Sequence, residues 1–275
     1  MNQKLRYLSY IKDDFDTVIC GVNGVITCGK ELIPNSIETC TALYQSGKKV
    51  MLASNSSMRV NDLFCLLRSQ GVPLNIFQAM ITAGEICHFY LKSNNLGHSY
   101  YNINDCPARV MQGLNEYRCV DKVIMSDFML VENDPDGINI NSKLNTLEQA
   151  LSLNLPLVCV GNNTSLLTSQ GVKSAAGALA EQYAMMGGKI ISFGKPDERI
   201  IKYLAENIYA YNPSRCLVIG DSMATDIRMG NISKTQTLLI CNGIHQLHDD
   251  DIEKINELST GYGLNVDYYM ENLRW

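Results

Sequence analysis

Thr17-Val18-Ile19-Cys20-Gly21-Val22-Asn23-Gly24 is the stretch on which the fold turns. An apolar run without polar alternation meets a turn built from two glycines and an asparagine. Such a run reads as a strand buried on both faces, the habit of a parallel sheet. Val50-Met51-Leu52-Ala53 repeats the pattern and ends in Ser54-Asn55-Ser56-Ser57. Cys216-Leu217-Val218-Ile219 repeats it again and ends in Gly220-Asp221. Lys189-Ile190-Ile191-Ser192-Phe193 and Thr235-Gln236-Thr237-Leu238-Leu239-Ile240 read as further strands. Helical patterns over 37–45, 60–70 and 197–207 lie between them, the first with Ser36 as N-cap and Gly47 as its stop. Strands alternating with helices predict a doubly wound α/β parallel sheet.

The middle of the chain shows the same alternation. Lys122-Val123-Ile124-Met125, Phe128-Met129-Leu130-Val131 and Pro156-Leu157-Val158-Cys159-Val160 are strand candidates, and 144–153 and 175–186 are helix candidates. The expected organisation is a core of 1–83 and 188–275 interrupted by an inserted α/β domain over 84–187. There is no internal repeat and no low-complexity tract. Asp249-Asp250-Asp251 reads as a solvated helix start, where acidic side chains suit the positive end of the helix dipole.

Composition narrows the function classes. Of 275 residues, 46% are hydrophobic and 19% charged, enough for a sizeable core. The net charge of −5 supplies no basic footprint, which argues against nucleic-acid binding. No apolar run approaches the ~20 residues of a membrane span. The first residues, Met1-Asn2-Gln3-Lys4-Leu5-Arg6-Tyr7, hold no apolar signal segment. The ten cysteines (Cys20, Cys28, Cys40, Cys65, Cys87, Cys106, Cys119, Cys159, Cys216 and Cys241) form no CxxC pair and read as small hydrophobes in a reducing cytoplasm. A cytoplasmic location is the expectation.

In open α/β sheets, ligands bind outside the carboxyl ends of the strands. The polar residues that follow the candidate strands are residues 21–24, residues 54–57, Lys195, and Asp221 with Asp226. They offer hydroxyls, backbone donors, one cation and two carboxylates. That set suits a phosphate group and a magnesium ion. His88, His98, His245 and His248 show no metal spacing, and His245 with His248 reads as a solvated pair.

Four segments in order resemble the motifs of the haloacid dehalogenase superfamily, class IIA, the p-nitrophenylphosphatase-like and nucleotide-phosphatase-like branch. The stretch Val18 to Gly24 with Pro34 resembles motif I, and Leu52-Ala53-Ser54-Asn55-Ser56-Ser57 motif II. Gly194-Lys195-Pro196 resembles motif III, and Gly220-Asp221-Ser222-Met223-Ala224-Thr225-Asp226-Ile227 motif IV. Thr82-Ala83-Gly84-Glu85, Gly177-Ala178-Leu179-Ala180 and Gly187-Gly188 add to the likeness.

The resemblance implies a phosphatase core with an inserted type-2 cap that sets substrate identity and through which a homodimer would form. It implies that Ser54 and the Asn55 amide hold a phosphoryl oxygen and that Lys195 neutralises the phosphoryl charge. Asp221 would ligate magnesium together with the backbone carbonyl of Asn23. Asp226 would stand behind the metal or orient Lys195. Asn163, in Gly161-Asn162-Asn163, would stand in the cap's substrate loop, although the same residues also read as a simple turn.

The family's first motif carries two aspartates, a nucleophile and a general acid. This chain has Gly21 and Asn23 there. Glycine has no nucleophile, and an amide cannot give and recover a proton as a carboxyl does. In a serine protease, loss of the nucleophile costs on the order of 10⁶ in rate. Magnesium, deprived of a charged oxygen, is expected to bind weakly or not at all. Cys20 is set aside as a substitute because strand alternation turns it to the other side. Asp13, Asp14 and Asp16 precede the strand, at its wrong end. The expectation is a binder of phosphate or a phosphorylated small molecule, with hydrolysis lost or very weak. The alternatives are a magnesium-dependent phosphate monoester hydrolase and a non-catalytic oligomeric protein.

Overall fold

The computed structural model describes residues 3–29, 31–104, 108–134, 136–168, 170–207, 209 and 211–275. The strands in chain order begin with β1 (Gln3–Lys4), β2 (Thr17–Gly21), β3 (Thr27–Cys28), β4 (Glu31–Leu32), β5 (Lys49–Ser54) and β6 (Ala79–Thr82). There follow β7 (Ser99–Asn102), β8 (Arg118–Cys119), β9 (Phe128–Glu132), β10 (Leu157–Val160), β11 (Ser165–Thr168), β12 (Gly171–Ser174) and β13 (Ile190–Phe193). The last three are β14 (Cys216–Gly220), β15 (Gln236–Ile240) and β16 (Tyr268–Met270). The helices are α1 (Ser36–Gln45), α2 (Val60–Ser69), α3 (Ala83–Ser93), α4 (Ile140–Ser152), α5 (Ala176–Met185), α6 (Glu198–Glu206), α7 (Arg228–Ser233) and α8 (Ile252–Tyr262). None among the described residues is long and apolar enough to cross a membrane.

The chain separates into two compact units: 1–54, 63–81 and 195–275 in the first, and 55–62 with 82–194 in the second. The first is built on a seven-stranded sheet of order β1-β16-β15-β14-β2-β5-β6. β2 pairs in parallel with β5 on one side and with β14 on the other. Both β2 and β14 are buried along their whole length, which is why neither alternates polar with apolar residues. From β2 the chain moves outward to β5 and β6, then returns to the opposite flank for β14, β15 and β16. The reversal between β2 and β14 is a topological switch point, where crossovers diverge and leave a crevice at the carboxyl ends.

The second unit has its own sheet, of order β13-β10-β9-β7-β8, with every pairing parallel. Met129, Val131, Leu157 and Cys159 from the strands pack with Leu147 of α4 and with Leu179 and Tyr183 of α5. The Tyr183 hydroxyl donates to the Leu155 carbonyl at 2.7 Å, which satisfies the one polar atom this ring buries. Segment 55–62 is tied to the start of α3 within this unit. The Arg59 guanidinium donates twice to the Glu85 carboxylate at 2.8 Å, and the Thr82 hydroxyl donates to the Met58 carbonyl at 2.7 Å. A Cβ on Gly84 would lie 2.1 Å from the Ser57 carbonyl oxygen, so only glycine lets the two backbones meet.

Several local expectations are corrected. Lys122-Val123-Ile124-Met125 is not a strand. Val123–Met125 forms a 3₁₀ turn closed by the Ser126 hydroxyl on the Val123 carbonyl at 2.8 Å. Only Val123 finds a buried place; Ile124 is 73% exposed. The cap of α1 is Asn35, in the left-handed region at φ 64°, and Ser36 is the first helical residue. α4 starts at Ile140, four residues before the expected 144, because Asn139 accepts from the Ser142 amide and sets the boundary there. Of the acidic run, Asp251 precedes α8, whereas Asp249 and Asp250 pair with Lys4. No disulfide joins the nine described cysteines; Cys106 lies outside the described residues, as do Met1 and Asn2.

Candidate functional site

The switch point of the first unit gathers Gly21 from the end of β2, Ser54 from the end of β5, and Asp221 and Asp226 from the turn after β14. Lys195 joins them. Its ammonium donates to the Ala53 carbonyl at 2.8 Å and to Asp226 Oδ1 at 2.7 Å. Lys195 is 5% exposed and Asp226 2%, so this is a buried ion pair. Asp226 sits on a π-helical turn, Met223–Ile227, and receives a second bond from the Thr225 hydroxyl at 3.3 Å. A Cβ on Gly220 would come within 2.0 Å of the Asp226 Cβ, so glycine at the end of β14 is what admits this carboxylate to the strand end.

Asp221 lies between two glycine backbones. A Cβ on Gly24, which has φ +81°, would fall 1.9 Å from Asp221 Oδ2, and one on Gly243 would fall 2.2 Å from the Asp221 Cβ. The Ile244 amide donates to Asp221 Oδ2 at 2.8 Å. Burial pushes the Asp221 carboxyl up to about 7, the Asp226 charge adds to the rise, and the Ile244 amide and Lys195 oppose it.

The linkage sign follows from that rise. The unfolded chain releases the Asp221 proton near 3.8, and the folded chain holds it to about 7. Stability therefore falls as pH rises through this window and levels off above it. An Asp221→Asn variant is expected to gain on the parent chain from about pH 4 to about pH 7, by on the order of a few kcal/mol. Urea midpoints across that range measure it. A gap independent of pH would mean that the carboxyl ionises as freely in the folded chain as in the unfolded one.

Gly21 is buried, and its backbone is outside the left-handed region. A Cβ there would stand 3.3 Å from both Asp226 Oδ1 and the Val25 side chain. The Asn23 side chain is exposed, and its Oδ1 accepts the Gly29 amide at 3.2 Å. Cys20 is buried beside Cys40. Its hydrogen bond to Cys40 and its burial hold the thiol far above the usual range, so it offers no thiolate. Asp16 bonds Arg215 through both carboxylate oxygens at the amino end of β2.

Asn55 and Asn163 belong to the second unit. The Asn55 carbonyl accepts from Asn133 Nδ2 at 3.2 Å, and a Cβ on Gly194 would lie 2.8 Å from Asn55 Oδ1. The Asn163 carbonyl accepts the Gly177 amide at 2.9 Å, and its Oδ1 is buried without a hydrogen-bond partner among the described residues.

Gly243 and Ile244 escaped the sequence reading. They follow β15, and collecting the polar and glycine residues after that strand as well would have found Gly243, whereas Ile244 acts through its backbone amide. His245 corrects an expectation. It is half-buried rather than solvated, and its Nε2 accepts the Met223 amide at 3.2 Å. Burial lowers its pKa and so favours the neutral ring that can accept this bond. Among the described residues no group of three or more His, Cys, Asp or Glu side chains is placed to hold a metal ion.

Known proteins resemble this chain along most of its length. A haloacid dehalogenase-like hydrolase family matches residues 18–115, and a HAD-hydrolase-like family matches residues 192–262. Phosphoglycolate phosphatase 2 of Arabidopsis thaliana is 23% identical over 286 residues, covering 94% of this chain and 90% of the relative. A hydrolase of the haloacid dehalogenase-like family from Brucella suis 1330 superposes with a TM-score of 0.83 at 20% identity, covering 98% of this chain and 99% of the other. The p-nitrophenyl phosphatase of Archaeoglobus fulgidus superposes with a TM-score of 0.70 at 20% identity, covering 94% and 97%.

Proposed function

We propose that this chain, which belongs to the haloacid dehalogenase-like hydrolases, binds inorganic phosphate or a phosphorylated small molecule at the β2/β14 switch point and hydrolyses it very weakly or not at all. One observation carries the reading. Lys195, Asp226 and Asp221 are buried together with Ser54 at the strand ends, while the residue at the end of β2 is Gly21, which has no side chain. The anion-binding part of a phosphatase site is kept and the attacking group is missing. Lys195 and the Ser54 hydroxyl are the groups we assign to the phosphoryl oxygens. The second unit is read as a type-2 cap.

The donor set fits magnesium poorly. Magnesium asks for near-octahedral oxygen coordination. Here Asp221 already accepts the Ile244 amide, Asp226 is bound to Lys195, and positions 21 and 23 supply no carboxylate. Asn23 presents an exposed amide where a leaving group would need a proton. No step is therefore routed through a metal.

Inorganic phosphate is expected to raise the melting temperature of the chain in a saturable manner without turnover, because a ligand selective for the folded state stabilises it by mass action. Lys195→Ala should remove most of that rise. A parent chain that releases phosphate from p-nitrophenyl phosphate, and loses that activity on Lys195→Ala, would overturn the reading. So would a parent chain whose melting temperature ignores phosphate.

A further inference from the structure

At the far edge of the first unit's sheet, the carboxyl ends of β1 and β16 open into a cavity of about 470 Å³. It is lined by Lys4, Arg6, Asp249, Glu271, Asn272 and Arg274, with Leu5 and Met270 completing its wall. The volume is within the range of small-molecule sites, and the position obeys the carboxyl-end rule for open α/β sheets. The wall is held by backbone bonds: the Leu5 amide donates to the Tyr269 carbonyl at 2.9 Å, and the Leu8 amide donates to the Arg274 carbonyl at 2.8 Å.

The charges are unevenly committed. Lys4 is engaged by Asp249 at 3.0 Å and Asp250 at 2.5 Å. Arg6 rests over the Tyr7 ring, 5.4 Å from its centroid, and neither Arg6 nor Arg274 has a carboxylate partner among the described residues. Among the described residues Glu271 pairs with the His248 ring at 3.7 Å, an ion pair only when that ring is protonated. One cavity thus presents two exposed guanidiniums and one half-buried carboxylate, none of them tied up in a close carboxylate–cation pair among the described residues. A simple anion would leave Glu271 repelling it. A simple cation would leave both arginines unmatched.

We infer that this cavity binds a small zwitterion, a free amino acid or similar amino-carboxylate, with its carboxylate on Arg6 and Arg274 and its ammonium on Glu271. The planar guanidinium suits paired hydrogen bonds to a carboxylate. All the lining residues lie in the first unit and none belongs to the switch-point set, so this site and the phosphate site can fail separately.

The test is a thermal-shift and calorimetric screen of the full chain against the free proteinogenic amino acids, one at a time, with acetate and methylamine at matched ionic strength. At least one amino acid should bind saturably while acetate and methylamine do not. Arg274→Ala and Glu271→Gln should each weaken that binding about tenfold or more, the loss of one charge-assisted hydrogen bond. The inference is overturned if no amino acid binds, if acetate binds as well as the amino acid, or if the cavity variants bind like the parent.

Discussion

A Gly21→Asp, Asn23→Asp double variant is expected to release phosphate from monoesters in a magnesium-dependent reaction that the parent chain does not support. The backbone at Gly21 lies outside the left-handed region, so an L side chain is tolerated there. Its Cβ would need Val25 and Asp226 to yield by a few tenths of an ångström from their 3.3 Å approach. The new carboxylate would face Asp226 and Lys195, and with Asp221 it would supply the charged oxygens that the parent site lacks. At position 23 the change is isosteric, on an exposed side chain, and a carboxylate can accept the Gly29 amide as the amide oxygen does.

The gain should be orders of magnitude over the parent, within the roughly 10⁶ that separates an enzyme from its nucleophile-less form. Magnesium should also raise the melting temperature of the double variant more than that of the parent. A folded double variant that stays silent across a panel of phosphate monoesters would mean that Ser54, Lys195, Asp221 and Asp226 are not poised for phosphoryl transfer.

The second large effect concerns the buried pair. Lys195→Met alone leaves Asp226 buried without its cation, and Asp226→Leu alone leaves Lys195 without its anion. Each single change is expected to cost about 3–5 kcal/mol, whereas the double change should be near neutral or stabilising, because a buried ion pair gives back little more than its desolvation cost. Denaturant midpoints at unchanged m-value read this out as a coupling energy. Additive costs would mean that the two side chains do not depend on each other. The result bears on ligand binding too, since a phosphate that recruits Lys195 must compete with Asp226 for the same ammonium.

The strands and most helices were legible because burial leaves a local trace. Val18-Ile19-Cys20 and Leu217-Val218-Ile219 are continuous apolar runs since β2 and β14 are covered on both faces. Lys122-Val123-Ile124-Met125 shows the limit of that trace: its run is as apolar, yet just one of its three apolar side chains has somewhere to go. The left-handed cap at Asn35 was equally hidden, because Ser36 has the chemistry of a cap and only the path of the chain decides which residue turns.

The sequence by itself determined the alternation of buried strands and helices, the polar residues that follow the strands, and the absence of carboxylates at positions 21 and 23. These are properties of composition and spacing, readable from neighbours a few residues away. Only the tertiary structure decided that β2 lies between β5 and β14, and that Lys195 reaches across 31 positions to Asp226. It alone assigned the Gly24 and Gly243 backbones, with the Ile244 amide, to the walls around Asp221. Strand order, the choice of ion partner and the burial of a carboxylate are set by which distant segments share a volume. That choice is made by packing the whole core at once, and no local window of sequence records it.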